Sequence, residues 1–132
     1  METWYLTKVC HLSQDEKGMQ KKITEHYLVD SESFTESESR TVKEVGECSV
    51  TTIRKTNIKE VFEGTGDYYK VRVDFLTLDE NTGREQRTGH TVLVQAPSVR
   101  KALDCIDQNF ASVRYEVTSL QRTPIAGVIA DS

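Results

Sequence analysis

Residues 50–62, VTTIRKTNIKEVF, and residues 117–129, VTSLQRTPIAGVI, are two versions of one segment. They align without a gap at an offset of 67, and each reads as a long β-strand of branched and polar residues. Asn57 falls on Pro124, so a turn-prone residue interrupts both copies at one place and predicts a bend there. Working backwards, the match continues. Ser33 lies on Ser98 and Leu28-Val29 on Leu93-Val94 at an offset of 65. One turn residue fewer makes the offset 64, at which Asp15-Glu16 lies on Asp79-Glu80, Val9 on Val73, and Trp4-Tyr5 on Tyr68-Tyr69. The chain therefore reads as a tandem duplication, with repeats at 1–62 and 63–132 joined through EGTGD at 63–67.

Each repeat reads β-β-α-β. TWYLTKVCHL and KKITEHYLVD predict two strands around a polar turn pivoting on Gly18. Ser33-Phe34-Thr35-Glu36 is a capping box, which starts a helix running to Val45 and stopping at Gly46. In the second repeat Tyr69, Val71, Val73 and Phe75 alternate onto one strand face. Val99, Ala102, Leu103, Ile106 and Phe110 recur at helical spacing after Pro97-Ser98. A hairpin followed by a right-handed crossover places the third strand beside the first. The expected fold is α+β: antiparallel sheets in the order 2-1-3 with two helices, related by a pseudo-two-fold axis in one compact domain. The strand ends beyond Asn57 and Pro124 are the expected points of exchange between halves.

At 132 residues the chain is long enough to bury a core unaided. Its net charge is −4, and each half carries −2, so neither end is an acidic tail or a basic arm. That balance argues against sequence-independent coating of duplex DNA, which draws its energy from lysine and arginine. Three cysteines, Cys10, Cys48 and Cys105, form no C-x-x-C and predict a reducing cytoplasm. No apolar run approaches the length that spans a bilayer, and the N-terminus lacks the pattern of a secretory signal, so no membrane association is expected.

Motifs for phosphate binding, dinucleotide binding, zinc proteolysis and serine hydrolysis are absent. Gly64-Thr65-Gly66 precedes a strand, so it lacks the helix N-terminus that would hold a phosphate. His11, His26 and His90 do not share metal-ligand spacing, and no metal or cofactor is expected. Asp15-Glu16 and Asp79-Glu80 read as turn caps rather than a catalytic pair. The chain is expected not to be an enzyme.

One surface draws attention. The face of the first strands away from the core carries Trp4, Leu6, Lys8, Cys10 and Leu12 in one copy and Tyr68, Lys70 and Arg72 in the other. The third strands add Arg54, Lys55 and Arg122. Aromatics interleaved with cations suit single-stranded nucleic acid. The same pattern, apolar on one copy and polar on its twin, suits a subunit interface. The leading expectation is a non-catalytic, homo-oligomeric binding protein for a protein or small ligand, with a symmetric cleft between copies. The alternative is a single-stranded nucleic-acid accessory protein using Trp4, Lys8, Arg54, Lys55, Tyr68, Lys70, Arg72 and Arg122.

The stretches GMQKKITEHYLVDSESFTESESR and DYYKVRVDFLTLDENTGREQRT, with the later VLVQA, resemble a domain-of-unknown-function family of short proteins. Its members come from Bacteroidetes and from gut phages of those hosts, including crAss-like phages. The distinctive run spans Lys22 to Phe34 and continues into Thr35-Glu36, close to the family's K-x-T-E-x-Y-L-V-D-x-x-S-F-T-E, with Ile23 and His26 within it. Ser37 and Ser39 stand where the pattern has alanines. The resemblance covers essentially the whole chain. It implies a bacterial or phage setting, with phage-encoded inhibitors or sequestering proteins as analogies, and carries no activity and no functional residues.

Overall fold

The computed structural model describes residues 3–130. The elements run β1 (Trp4–Gln14), β2 (Gln20–Asp30), α1 (Phe34–Val45), β3 (Ser49–Lys55), β4 (Ile58–Phe62), β5 (Asp67–Leu78), β6 (Glu85–Ala96), α2 (Val99–Phe110), β7 (Tyr115–Arg122) and β8 (Ile125–Ile129). The fold is α+β, with two helices and two four-stranded sheets.

The chain divides into two compact units. One comprises the residues through Asn57 together with those from Pro124 onward; the other runs from Ile58 to Thr123. The first unit's sheet has the order β3-β1-β2-β8 and the second's β7-β5-β6-β4. Three strands of each sheet are antiparallel, in the expected order, but the fourth is not. β8 pairs with β2 in parallel, and β4 pairs with β6 in parallel, so both sheets are mixed rather than antiparallel. The reason lies in the bends. Each segment expected as one long strand breaks, at 56–57 and at 123–124, and its remainder covers a sheet edge that would otherwise present unpaired N–H and C=O groups.

Local chemistry sets the rest. The Asp15 carboxylate accepts from the Lys17 and Met19 amides at 2.9 Å, and Asp79 accepts from the Asn81 amide at 2.9 Å, so these aspartates cap their hairpin turns. Gly18 supplies the left-handed backbone (φ 78°) that closes the first turn. Ser33 Oγ accepts from the Glu36 amide at 3.1 Å and Ser98 Oγ from the Lys101 amide at 3.2 Å. Glu36 reaches back one residue further than a standard box, to the Glu32 amide. Gly46 ends α1, donating to the Val42 carbonyl at 2.9 Å.

A threonine marks each irregularity of the outer antiparallel strands. The β1–β3 register shifts at Lys8/Val9, where Thr51 is the extra residue and donates to the Lys8 carbonyl at 3.1 Å. The β5–β7 register shifts at Arg72/Val73, where the Thr118 hydroxyl donates to the Arg72 carbonyl at 3.4 Å. Thr56 and Thr123 each donate two hydrogen bonds, from amide and hydroxyl, to one carbonyl, that of Trp4 and of Tyr68 respectively.

The two helix–sheet seams differ in chemistry. Under α2 the seam is apolar: Tyr69, Val71, Val73, Val92, Val94 and Ala96 meet Ala102 and Ile106. Val99 and Leu103, expected on that buried face, are 48% and 40% exposed, so the stripe is narrower than its spacing suggests. The buried side chains of α1 itself are hydroxyls, over a sheet face that also buries Tyr5, Val9 and Val29. Ser37 and Thr41 are fully buried, as is Thr7 on β1, with Ser31 nearly so. Ser31 and Ser37 pair through their hydroxyls. Thr41 Oγ1 donates to the Ser37 carbonyl at 2.7 Å and lies 3.3 Å from Thr7 Oγ1.

Candidate functional site

Residues directly opposite one another in a ladder share a sheet face, and this sorts the eight expected binding residues. Arg54 lies opposite Leu6, so Arg54, Lys8 and Trp4 share the face of the first sheet turned away from α1. Lys55 lies opposite Tyr5, on the other face. In the second unit Tyr68, Lys70 and Arg72 share the face turned away from α2, while Arg122 lies opposite Tyr69 on the helix side and sits 3.7 Å from Asp67. The constellation is thus split between two units and, within each, between two faces.

Burial changes it further. Trp4 is 5% exposed and Tyr68 8% exposed, so neither ring offers a stacking surface. Leu28 and Leu93, on the same faces, are fully buried. Arg54, Lys55, Lys70, Arg72 and Arg122 are exposed and Lys8 half-buried. Arg72 approaches Asp74 at 3.5 Å, and Arg87 bridges Asp74 at 3.5 Å and Glu116 at 2.9 Å, so the cations of that face are interleaved with carboxylates. Burial, with the Glu63 charge adding to it, raises the Tyr68 phenol above its ordinary value.

Two clefts stand out instead, one within each unit. The cleft of the second unit, of about 420 Å³, is lined by Phe75, Leu76, Thr77, Asn109, Phe110, Ser112, Val113 and Arg114. Its floor is aromatic. Phe110 packs edge-on against Phe75 (5.1 Å between centroids), Phe62 (5.9 Å) and Tyr115 (6.3 Å). The Tyr115 hydroxyl donates to Asp107 at 2.7 Å, and that hydrogen bond, then burial, raises the phenol. Val113, on the loop after α2, is 49% exposed. An apolar floor with a few polar groups at the rim is the usual make-up of a binding pocket.

The cleft of the first unit, about 670 Å³, is polar. Cys10, His11, Leu12, Gln14, Gln20, Glu47, Cys48 and Ser49 line it. His11 Nε2 lies 2.5 Å from Glu25 Oε1, a diagonal pair across the β1–β2 hairpin. Tyr27, further along the same face of β2, has its phenol raised by burial first, then by the charge and hydrogen bonding of Glu25, and last by Cys48. Among the described residues no group of three or more His, Cys, Asp or Glu is placed to hold a metal ion, and no helix is long and apolar enough to cross a membrane.

Sequence reasoning missed both clefts. The aromatic floor joins residues 35 apart, and the His11–Glu25 pair depends on hairpin register. A five-residue turn between Gln14 and Gln20 would have shown that register, because it brings Val9 opposite Glu25 and leaves His11 one diagonal step away.

The described residues define a small α+β protein with two helices and two mixed four-stranded sheets, each unit carrying one cleft. The chain belongs to the family described as domain of unknown function DUF4494, whose model matches residues 3–131. No curated protein and no solved structure is similar to it.

Proposed function

We propose that this chain is a non-catalytic binding protein that self-associates, burying an apolar side chain in the cleft floored by Phe75 and Phe110. The observation that carries the reading is the continuity of that cleft with exposed Val113, which sets an apolar side chain among the polar groups of the rim beside an aromatic floor. Sedimentation velocity at micromolar concentration tests it. The expected result is an oligomer whose dissociation constant rises about tenfold or more in Val113→Lys, since a charge at an apolar contact loses its burial and its solvation together. A strict monomer for the unaltered chain overturns the reading.

The proposal includes descent by duplication, giving a pseudo-two-fold relation of β-β-α-β repeats. What supports it is the pairing of irregular features: Thr51 with Thr118 at the bulges, Thr56 with Thr123 at the bends, and Ser33 with Ser98 at the caps. A bacterial cytoplasm, with Bacteroidetes or their phages as the source, is proposed on the Lys22–Phe34 run and the three unpaired thiols. The single-stranded nucleic-acid reading keeps Lys70 and Arg72 but loses Trp4 and Tyr68 as stacking partners, and it falls behind on that account.

A further inference from the structure

The two sheets treat one ladder position differently. On β1 the register with β3 shifts at Lys8, which lies opposite His26 on one side and Thr52 on the other. On β5 the register with β7 shifts at Arg72, which lies opposite Thr91 and Ser119. Both cations lie on the face turned away from their helix. In the second unit a carboxylate stands two residues along: Asp74, 9% exposed, is 3.5 Å from Arg72 and 3.5 Å from Arg87. In the first unit that place belongs to Cys10. The carboxylate that β1, β2 and β3 do carry on this face is Asp30, opposite Trp4, four residues from Lys8 and so about 13 Å along the strand. Among the described residues Lys8, Lys22 and Arg54 enter no ion pair. Lys8 is nonetheless half-buried, and a covered ammonium without a counter-charge loses hydration with nothing in return.

We propose that this face of the first unit is a docking site for an extended acidic polypeptide segment, one of whose carboxylates takes beside Lys8 the place that Asp74 holds beside Arg72. Spacing supports it. Arg54 lies opposite Leu6, so Lys8 is its diagonal neighbour, about 7–8 Å away. Alternate residues of an extended chain are about 6.6 Å apart. Acidic residues at every second position therefore meet Lys8 and Arg54 together, with exposed Lys22 further along the face. Thr24 and Thr52, both exposed, set hydroxyls among these cations. A carboxylate is favoured over a nucleic-acid phosphate on two counts: the corresponding position in the second unit uses one, and Trp4, buried on this face, gives a base no ring to stack on. The site lies in the first unit and is independent of the self-association proposed for the second.

Titrating the isotope-labelled full chain at low salt with an octapeptide of alternating glutamate and serine, followed by amide NMR shifts, tests it. The amides of Lys8, Lys22, Thr24, Thr52 and Arg54 should move together, and the shifts should fade as added salt screens the charges. Lys8→Gln should weaken the peptide about fivefold. Cys10→Asp gives the first unit the carboxylate that the second already has; it should weaken the peptide about tenfold or more, by neutralising Lys8 and repelling the ligand. Lys70→Gln, on the corresponding face of the second unit, should leave the affinity within about twofold. Absence of localised shifts at millimolar peptide overturns the proposal, and so does an unchanged affinity in Lys8→Gln or in natively folded Cys10→Asp. An oligothymidylate that moves the same amides at lower concentration than the peptide overturns the assignment to carboxylates.

Discussion

Replacing Thr41 with valine separates two ways of holding α1 to its sheet, hydroxyl pairing and plain burial. Valine matches threonine in shape and branching, so helix propensity hardly changes. The lost hydroxyl lies 2.7 Å from the Ser37 carbonyl and 3.3 Å from Thr7 Oγ1. The carbonyl still accepts its helical N–H. The Thr7 hydroxyl does worse: it keeps only the Tyr27 carbonyl at 3.4 Å, well beyond a good O–H···O distance, in a site of no exposure. Thr41→Val should therefore destabilise by about 1–2 kcal/mol, the range for a buried hydroxyl left short of a partner. Thr7→Val alone should cost about 0.5 kcal/mol, because Thr41 retains its shorter bond to Ser37. In the double variant no hydroxyl is stranded and two methyl groups are buried, so stability should return to within about 0.5 kcal/mol of the starting protein or exceed it. The sign of the Thr7 substitution thus reverses with its background. Urea unfolding followed by the fluorescence of Trp4, the only tryptophan, reads this directly. With a slope of about 2 kcal/mol per molar urea, Thr41→Val should move the midpoint down by about 0.5–1 M. Losses that simply add in the double variant would refute the reasoning, since additivity means the hydroxyls do not act as a pair.

Gly66→Ala should lower the melting temperature by several degrees, because φ is +97° and a Cβ there would meet the Ala96 carbonyl oxygen at 2.5 Å. Gly18→Ala, with φ +78° and open space around it, should lose only about 1 kcal/mol in the same scan; equal effects at the two sites would contradict the packing argument. Ser98→Ala removes the cap on the Lys101 amide and should cost about 1 kcal/mol by chemical denaturation, and no change would show that α2 does not depend on it. Tyr27, Tyr68 and Tyr115 hold their protons above the ordinary phenol value of 10.0, so the folded chain binds more protons than the unfolded one in strong alkali. Their contribution is fully present below that value and is lost as pH rises through the folded-state values; tyrosinate absorbance should show Tyr27, Tyr68 and Tyr115 ionising late, and a single transition at the ordinary value would contradict this.

What the sequence revealed of the fold was whatever is written locally. Ser33 and Ser98 as caps, Gly46 as a stop, Asp15 and Asp79 as turn caps and the 3-1-2 strand order all follow from short-range chemistry. The pairing of residues 58–62 and 125–129 was not legible, because a bend announces that a strand turns away without saying which edge receives it. The burial of Trp4 and Tyr68 escaped for a similar reason. Alternation separates two faces of a strand, but it does not say whether the second face meets water. The hydroxyl seam under α1 was hidden because Ser37 and Thr41 read as polar, and a helical stripe is sought in apolar residues.

The parallel strand β8 has a consequence for biosynthesis. His26 pairs with Ile125, so the first sheet waits for residues made almost a hundred positions later, while the second unit is continuous in sequence. During translation the β2 edge stays unsatisfied until residues 125–129 have been made, and in a crowded polysome the corresponding strand of a neighbouring nascent chain competes for it. Strand-swapped dimers are the expected error of hurried folding, and slow elongation or dilute refolding should suppress them.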